Sequence, residues 1–213
     1  PTVSNNISNV AKTDSSLTED TNLSASDKMD VEAVATAALP AMVQLNGTTT
    51  VKSSSYFGYG QSYEATSSGT GIIVGKSDTE LLIVTNAHVV DNIDNLKCVF
   101  SDGTSASCSV KGSKSDQDIA VAAVSLSDIS SDTASNIAIA ELEDSSDIKV
   151  GQQVVAIGNA LGEGQSVTTG IISAKDRSIT VNNVTFTGLL MTDAAINSGN
   201  SGGALLNSEG KVI

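Results

Sequence analysis

Short apolar runs separated by clusters of Gly, Asn, Asp and Ser follow one another along the chain from position 41 onward. Many short runs with almost no helical spacing predict an all-β fold. We expect strands in AMVQLNGTTTV, GTGIIVG, LLIVTNA, LKCVFSD, SCSVKG, IAVAAVSL, QQVVAIGNA, SVTTGIISAKDR, SITVNNVTF, GLLMTDAAI and GALLN. The preceding segment DKMDVEAVATAAL, from Asp27, has an N-cap candidate and the apolar spacing of a short helix that ends before Pro40.

The first 27 residues differ from the rest of the chain. They are rich in Ser, Thr, Asn and Asp and show no sustained periodicity. Such a segment buries too little apolar surface to offset its ordering entropy, which predicts a disordered polar leader or linker.

Length and charge narrow the function classes. At 213 residues the chain has room for one large all-β domain or two small ones. A formal net charge of −13 argues against nucleic acid or an anionic membrane as partner. No apolar run approaches the roughly 20 residues that span a bilayer. The chain starts at Pro1 without a secretory signal, as expected of a trimmed or processed product.

Two cysteines, Cys98 and Cys108, flank a hairpin turn signal, Asp102-Gly103. A three-residue loop at 102–104 would place the cysteines opposite each other, at disulfide distance. A two-residue loop would place Lys97 opposite Cys108 instead, and the sequence leaves both registers open. With one histidine in the chain, these thiols predict no metal site.

An aromatic segment, SYFGYGQSY at 55–63, carries four of the six aromatic residues of the chain. It is either a contact surface for a partner or another copy, or a loop whose rings fold back over their own domain.

The candidate chemistry lies in NSGNSGGAL, which contains the pattern G-x-S-x-G around Ser201. A serine hydroxyl needs a base to become a nucleophile, and imidazole is the usual base at neutral pH. The only histidine, His88, follows an apolar strand and opens a helical turn, AHVVDNI. An α/β-hydrolase would need its histidine after the serine, but only twelve residues follow Ser201 and none is histidine.

The order His, Asp, Ser is typical of the chymotrypsin-like arrangement, which requires an aspartate between the other two residues. Asp118 stands directly before the apolar run IAVAAV, which would draw its carboxylate inward to orient the imidazole. The rival, Asp116, lies in the preceding polar turn, where we expect it to be solvated.

Five segments in this order, TNAHVV, DIAV, IGNALG, SVTTGIIS and TDAAINSGNSGGAL, resemble the trypsin-like serine endopeptidases of the HtrA/Deg family. The resemblance covers roughly residues 30 to 213. It implies two six-stranded antiparallel β-barrels with the active site between them. We therefore expect a leader at 1–27, a helix and first barrel at 28–130, and an interdomain crossing with the second barrel at 131–213.

The resemblance also implies roles for single residues. It implies a catalytic triad of His88, Asp118 and Ser201. It implies an oxyanion hole at Gly199, Asn200 and Ser201, in which Asn200 forms the turn between N–H donors. It also implies a pocket that favours small aliphatic residues before the scissile bond, formed by Ala195, Ile196 and Asn197.

The chain stops at GKVI, whereas members of the family continue through a last barrel strand, a helix and usually PDZ domains. We therefore expect an incomplete second barrel, with the chain a fragment of a longer protein. The function implied is protein quality control, in which unfolded or misfolded polypeptides are hydrolysed; the alternatives are a non-catalytic chaperone or binding module, or an inactive fragment. The family further implies homotrimers, an extracytoplasmic location, a membrane link only through a removed N-terminal anchor, and no cofactor.

Overall fold

The computed structural model describes residues 29–52, 62–159, 165–181, 183–197 and 200–213. The predicted leader lies outside these residues, as do Tyr56, Phe57 and Tyr59 of the aromatic segment.

The predicted helix is α1, Val31–Ala38. Asp30 is its N-cap, because the carboxylate accepts a hydrogen bond of 3.0 Å from the Ala33 N–H. A short 3₁₀ turn that contains Pro40 follows it and leads into the first strand. None of the helices in the described part of the chain combines the length and the apolar character needed to cross a membrane.

Six antiparallel strands form a closed barrel in the order β1-β2-β3-β6-β5-β4. The strands are β1 Met42–Lys52, β2 Ser62–Lys76, β3 Glu80–Thr85, β4 Asn95–Val99, β5 Ser105–Lys114 and β6 Ile119–Ser125. A one-turn helix, α2 Ala87–Val90, connects β3 to β4. Alternate residues point inward, as in β3, where buried and half-buried positions alternate throughout. The interior is filled by fully buried aliphatic side chains, among them Val43, Leu45, Ile73, Ile83 and Val124.

The second unit is an open antiparallel sheet of four strands in the order β10-β7-β8-β9. Its strands are β7 Gln153–Asn159, β8 Gln165–Val181, β9 Val184–Thr192 and β10 Ala204–Leu206. The connection from the barrel contains α3, Ser131–Asn136, and two 3₁₀ turns at 126–128 and 145–147. The all-β prediction with an incomplete second unit is confirmed.

Helix α1 packs at the junction of the barrel and the sheet. Val34 and Ala38 belong to one buried cluster with Ile72 of the barrel and with Ile157 and Leu206 of the sheet. Burial of apolar surface from three elements in one cluster fixes the two units against each other.

The strands β8 and β9 differ from the prediction, which divided this region into three runs. Instead, β8 continues through both SVTTGIISAKDR and SITV, and the chain turns back at Asn183, whose φ is 64°. Left-handed residues inside the hairpin, Asp176 at φ 54° and Gly188 at φ 70°, are accommodated by register shifts between the two strands. The polar residues that suggested a strand end mark irregularities within one long hairpin.

Both predicted registers for the cysteine hairpin are wrong. Cys98 pairs with Ala106, Cys108 pairs with Leu96, and both thiols are free. The loop comprises residues 101–103, because Gly103 takes the left-handed position at φ 81° and the Phe100 N–H donates to the Thr104 carbonyl. Burial raises the pKa of the Cys108 thiol to about 11 and that of Cys98 further still.

Candidate active site

The pairing of β3 with β6 brings the histidine and the aspartate together. Thr85, the last residue of β3, lies opposite Ala120 near the start of β6. The chain leaves β3 into α2, which carries His88, while Asp118 ends the turn that precedes β6. The two residues are 30 positions apart in sequence and adjacent at one end of the barrel.

The Asp118 carboxylate holds His88 at two points. Nδ1 of the imidazole lies 2.8 Å from Oδ2 and 3.0 Å from Oδ1, and the His88 backbone N–H donates to Oδ1 at 3.0 Å. Because an ionised carboxylate only accepts hydrogen bonds, the proton of a neutral imidazole lies on Nδ1, and Nε2 carries the lone pair. The His88 side chain is 57% exposed, so solvent reaches the ring.

Asp116 has a different environment. Its side chain is 67% exposed, and one of its carboxylate oxygens lies 3.8 Å from the Lys114 ammonium. The structure brings Asp118, and not Asp116, to the imidazole.

Ser201 lies in a tight turn held by the first barrel. The Gly203 N–H donates to the Asn200 carbonyl at 2.8 Å, and the Ser201 carbonyl accepts from the Thr70 N–H of β2 at 2.8 Å. Gly202 adopts φ 80°, and a Cβ there would collide with the Thr70 carbonyl and the Thr85 hydroxyl. A side chain at position 202 is therefore excluded both by its backbone conformation and by its surroundings.

The residues predicted to form an oxyanion hole are described only in part, since Gly199 lies outside the described residues. The Asn200 N–H donates to the Asn197 carbonyl at 3.1 Å, so it stabilises the turn. Within the described part of the chain the Ser201 N–H has no acceptor, and no hydrogen bond joins the Ser201 hydroxyl to His88.

The side chain of Asn200 anchors this turn to the second sheet. Its Oδ1 accepts from the Ser166 hydroxyl at 2.8 Å, and its Nδ2 donates to the Ala195 carbonyl at 3.2 Å. It packs so closely on Gly158 of β7 that any side chain at that position would overlap it.

The three predicted pocket residues precede the turn. The Ala195 carbonyl accepts from the Thr168 hydroxyl at 2.9 Å, which ties the segment to β8. Ile196 is 59% exposed and Asn197 is also exposed. Asp193, two positions before this segment, accepts a hydrogen bond of 2.7 Å from the Ile171 N–H of β8 and so contributes to the sheet.

A groove of about 520 Å³ lies beside the imidazole, between the barrel and the β8–β9 hairpin. The barrel side includes His88 and Asp118, and the hairpin side is apolar: Ile179, Val181, Val184, Phe186 and Leu189.

Two residues at the junction were not found from the sequence. Asn86 donates from Nδ2 to the Asp118 carbonyl at 2.8 Å and accepts at Oδ1 from the Gly202 N–H at 2.7 Å. The buried Thr70 hydroxyl accepts from the Asn159 N–H of β7 at 2.7 Å. Asn86 lies two positions before the predicted base, and this proximity in sequence could have indicated a role in the site. Nothing in the sequence around Thr70 indicates such a role.

Comparison with known proteins places the chain among peptidases. A family model described as a trypsin-like peptidase domain matches residues 69–213. The serine protease Do-like HtrA of Bacillus subtilis is 37% identical over an alignment of 183 positions that covers 82% of this chain and 39% of that protein. The periplasmic serine endoprotease DegP of Escherichia coli K12 is 38% identical over 156 residues, 73% of this chain and 31% of that protein.

Solved structures agree with the sequence relatives. A variant of the HtrA-type protease AlgW with a decapeptide superimposes with a TM-score of 0.72 at 31% identity, covering 86% of this chain and 56% of the other. The chain thus spans about two fifths of the Bacillus subtilis relative and about half of this structural one.

Proposed function

Because the chain belongs to the HtrA/Deg family of trypsin-like serine proteases, we propose that it hydrolyses peptide bonds with Ser201 as nucleophile, His88 as general base and Asp118 as the residue that orients the base. The observation that carries the proposal is the pairing of His88 with Asp118, which fixes the tautomer and leaves Nε2 free.

In the proposed reaction the Ser201 Oγ attacks the scissile carbonyl while its proton passes to His88 Nε2. The Asp118 carboxylate stabilises the imidazolium, and the N–H groups of Ser201 and Gly199 bind the oxyanion. The imidazolium then protonates the leaving amine, which yields an acyl-enzyme on Ser201. Water activated by Nε2 attacks the ester and frees the serine.

We assign the chain to protein quality control, with unfolded or misfolded polypeptides as substrates. The exposed base suits a substrate that is presented as an extended chain. Ala195 stands where a trypsin of basic specificity carries an acid, and Ile196 narrows the same pocket, which favours Val or Ala before the scissile bond. Several relatives are named periplasmic, which supports an extracytoplasmic location, and assembly as a homotrimer belongs to the same proposal.

Covalent labelling tests the nucleophile. In the protein without substitutions, a fluorophosphonate should react with Ser201. Mass spectrometry should then show a mass increase on the peptide that contains residues 197–205. Ser201→Ala and His88→Ala should each abolish this labelling and nearly all cleavage of an unfolded protein. Labelling of another residue, or cleavage that persists in Ser201→Ala, would contradict the proposed nucleophile.

A polypeptide-binding module that does not cleave is the second candidate. It is favoured by the lack of a hydrogen bond from the Ser201 hydroxyl to His88 among the described residues. If the unmodified protein suppresses aggregation of an unfolded substrate and remains unlabelled, the binding function replaces the catalytic one.

Cleavage of a peptide library tests specificity. We expect Val and Ala before the scissile bond, and Ile196→Ala should extend cleavage to larger aliphatic residues. Ile139→Ala is the matched control, since Ile139 is another exposed isoleucine, 47% exposed, outside the segment 195–197. A profile dominated by Lys and Arg, or an equal change in both variants, would exclude the assigned pocket.

A further inference from the structure

Asn86 occupies a helix N-cap position without using its side chain as a cap. It precedes α2 with φ −75° and ψ 146°, the backbone conformation in which an asparagine usually accepts a hydrogen bond from the following turn. Its side chain makes no such bond. The side-chain amide instead uses both its nitrogen and its oxygen for hydrogen bonds to residues outside the helix.

The two groups that it binds belong to different halves of the candidate site. The Asp118 carbonyl accepts from Nδ2 and the Gly202 N–H donates to Oδ1, so a single amide connects the aspartate to the residue after Ser201. The contact to Gly202 joins positions 116 residues apart. Both partners have left-handed backbones, with φ 52° at Asp118 and φ 80° at Gly202.

The chemistry of these partners selects an amide. A backbone carbonyl only accepts and a backbone N–H only donates, so the connecting side chain must offer one donor and one acceptor. A carboxylate at position 86 would accept from the Gly202 N–H but face the Asp118 carbonyl with a second oxygen. An aliphatic side chain would leave two partly buried polar groups without these partners, at a cost in free energy.

We propose that Asn86 is a positioning residue that sets the spacing between the imidazole–carboxylate pair and Ser201. The proposal rests on the catalytic function proposed above. By binding the backbone of Asp118, Asn86 fixes the left-handed turn that aims the carboxylate at His88. By binding the Gly202 N–H, it fixes the turn that presents the Ser201 hydroxyl.

The test compares Asn86→Leu, Asn86→Asp and a matched control, Asn207→Leu. Asn207 is another asparagine with a bonding side chain; it is buried where Asn86 is half-buried, and its Oδ1 accepts from the backbone N–H groups of Glu209 and Lys211 at the far end of β10. Two kinds of readout are measured for each protein. The first is kinetic: the rate of fluorophosphonate labelling of Ser201, and kcat and KM for hydrolysis of a peptide. The second is the downfield proton NMR resonance of the imidazole Nδ1–H. The chain has a single histidine, so that resonance is unambiguous.

A displacement of about 1 Å between reacting groups lowers rates about 100-fold, so both Asn86 variants should label roughly 10- to 100-fold more slowly. We expect kcat to fall with KM little changed, and the imidazole resonance to broaden as the Asp118 contact loosens. Asn207→Leu should lower the melting temperature and leave both readouts unchanged. Asn86→Asp retains the Gly202 contact and the side-chain volume, so it provides a folded variant if Asn86→Leu unfolds.

Unchanged labelling and resonance in the Asn86 variants, or an equal loss in Asn207→Leu, would overturn the positioning role while Ser201 labelling stands. If the unmodified protein is not labelled, the catalytic function itself fails. In that event the resonance still shows whether Asn86 holds Asp118 against His88, and a sharp signal in Asn86→Leu would overturn the proposal independently.

Discussion

The closed barrel and the open sheet contribute to the site in different ways. Every strand of the barrel has two neighbours, and the barrel alone positions the His88–Asp118 pair through the adjacent ends of β3 and β6. The sheet has two edges, and the loop that carries Ser201 is bonded to the barrel through Thr70 and Asn86. The imidazole–carboxylate pair is thus positioned by one unit, whereas Ser201 is positioned by the junction between the two units.

Loss of the Asp118 charge should have the largest effect on activity. Asp118→Asn preserves the shape of the side chain but can donate to Nδ1, which favours the wrong imidazole tautomer and should lower kcat about 10⁴-fold. Asp116→Asn is the matched control, and its exposed carboxylate predicts less than a twofold change. Rates of peptide hydrolysis by the purified variants test this prediction. A larger loss of kcat in Asp116→Asn than in Asp118→Asn would assign the orienting role to Asp116.

Truncation of one buried isoleucine in each unit tests whether the core of the closed barrel is packed more rigidly than that of the open sheet. Ile83 of the barrel and Ile172 of the sheet are both fully buried, but Ile172 lies in a smaller cluster. Ile83→Ala should lower the free energy of unfolding by about 4 kcal/mol and Ile172→Ala by about 2 kcal/mol, because an open sheet collapses more easily around a cavity. Urea denaturation measures both, and equal losses would mean that the sheet is packed as rigidly as the barrel.

The thiols of the buried Cys98 and the half-buried Cys108 should make the barrel sensitive to alkali. The pKa of Cys108 is raised to about 11 from an ordinary value of 9.0, so the folded state favours the neutral thiol. The stabilisation is complete below about pH 9 and is lost as the pH rises toward 11, by an amount on the order of 2 kcal/mol.

Thermal melts between pH 8 and 11 measure this loss. The double variant Cys98→Ala, Cys108→Ala should show a flatter dependence across the same range, since it carries no thiol to ionise. An unchanged slope would show that other groups cause the alkaline loss.

The smallest effect is expected at the buried link between the two units. Thr70→Val leaves the Asn159 N–H without its hydroxyl acceptor and should lower the free energy of unfolding by about 1–2 kcal/mol. Thr66→Val, at an exposed position on the same strand, is the control and should change it by less than 0.5 kcal/mol. Chemical denaturation of the two variants compares them, and equal values would mean that the junction does not depend on this bond.

The features that could be predicted from the sequence are those that depend on the local pattern of apolar and polar residues. Asp118 was selected over Asp116 because an apolar strand follows it directly, and α1 was found from its spacing and cap. The cysteine register failed because one left-handed glycine moved the loop by a single residue, a choice that several turn types allow. The roles of Thr70 and Asn86 depend on partners 89 and 116 positions away; the place of Asn86 beside His88 could draw attention to it, but no local pattern specifies such distant contacts.

The separation between Asn86 and Gly202 also predicts an order in which the site forms. Contacts between distant positions require a larger loss of chain entropy and form later in folding than contacts between near ones. His88 and Asp118 are 30 residues apart within one barrel, so we expect their pairing to precede the docking of the second sheet. In that order the imidazole–carboxylate pair is complete before the serine is in place, and the three groups meet only when both halves have folded.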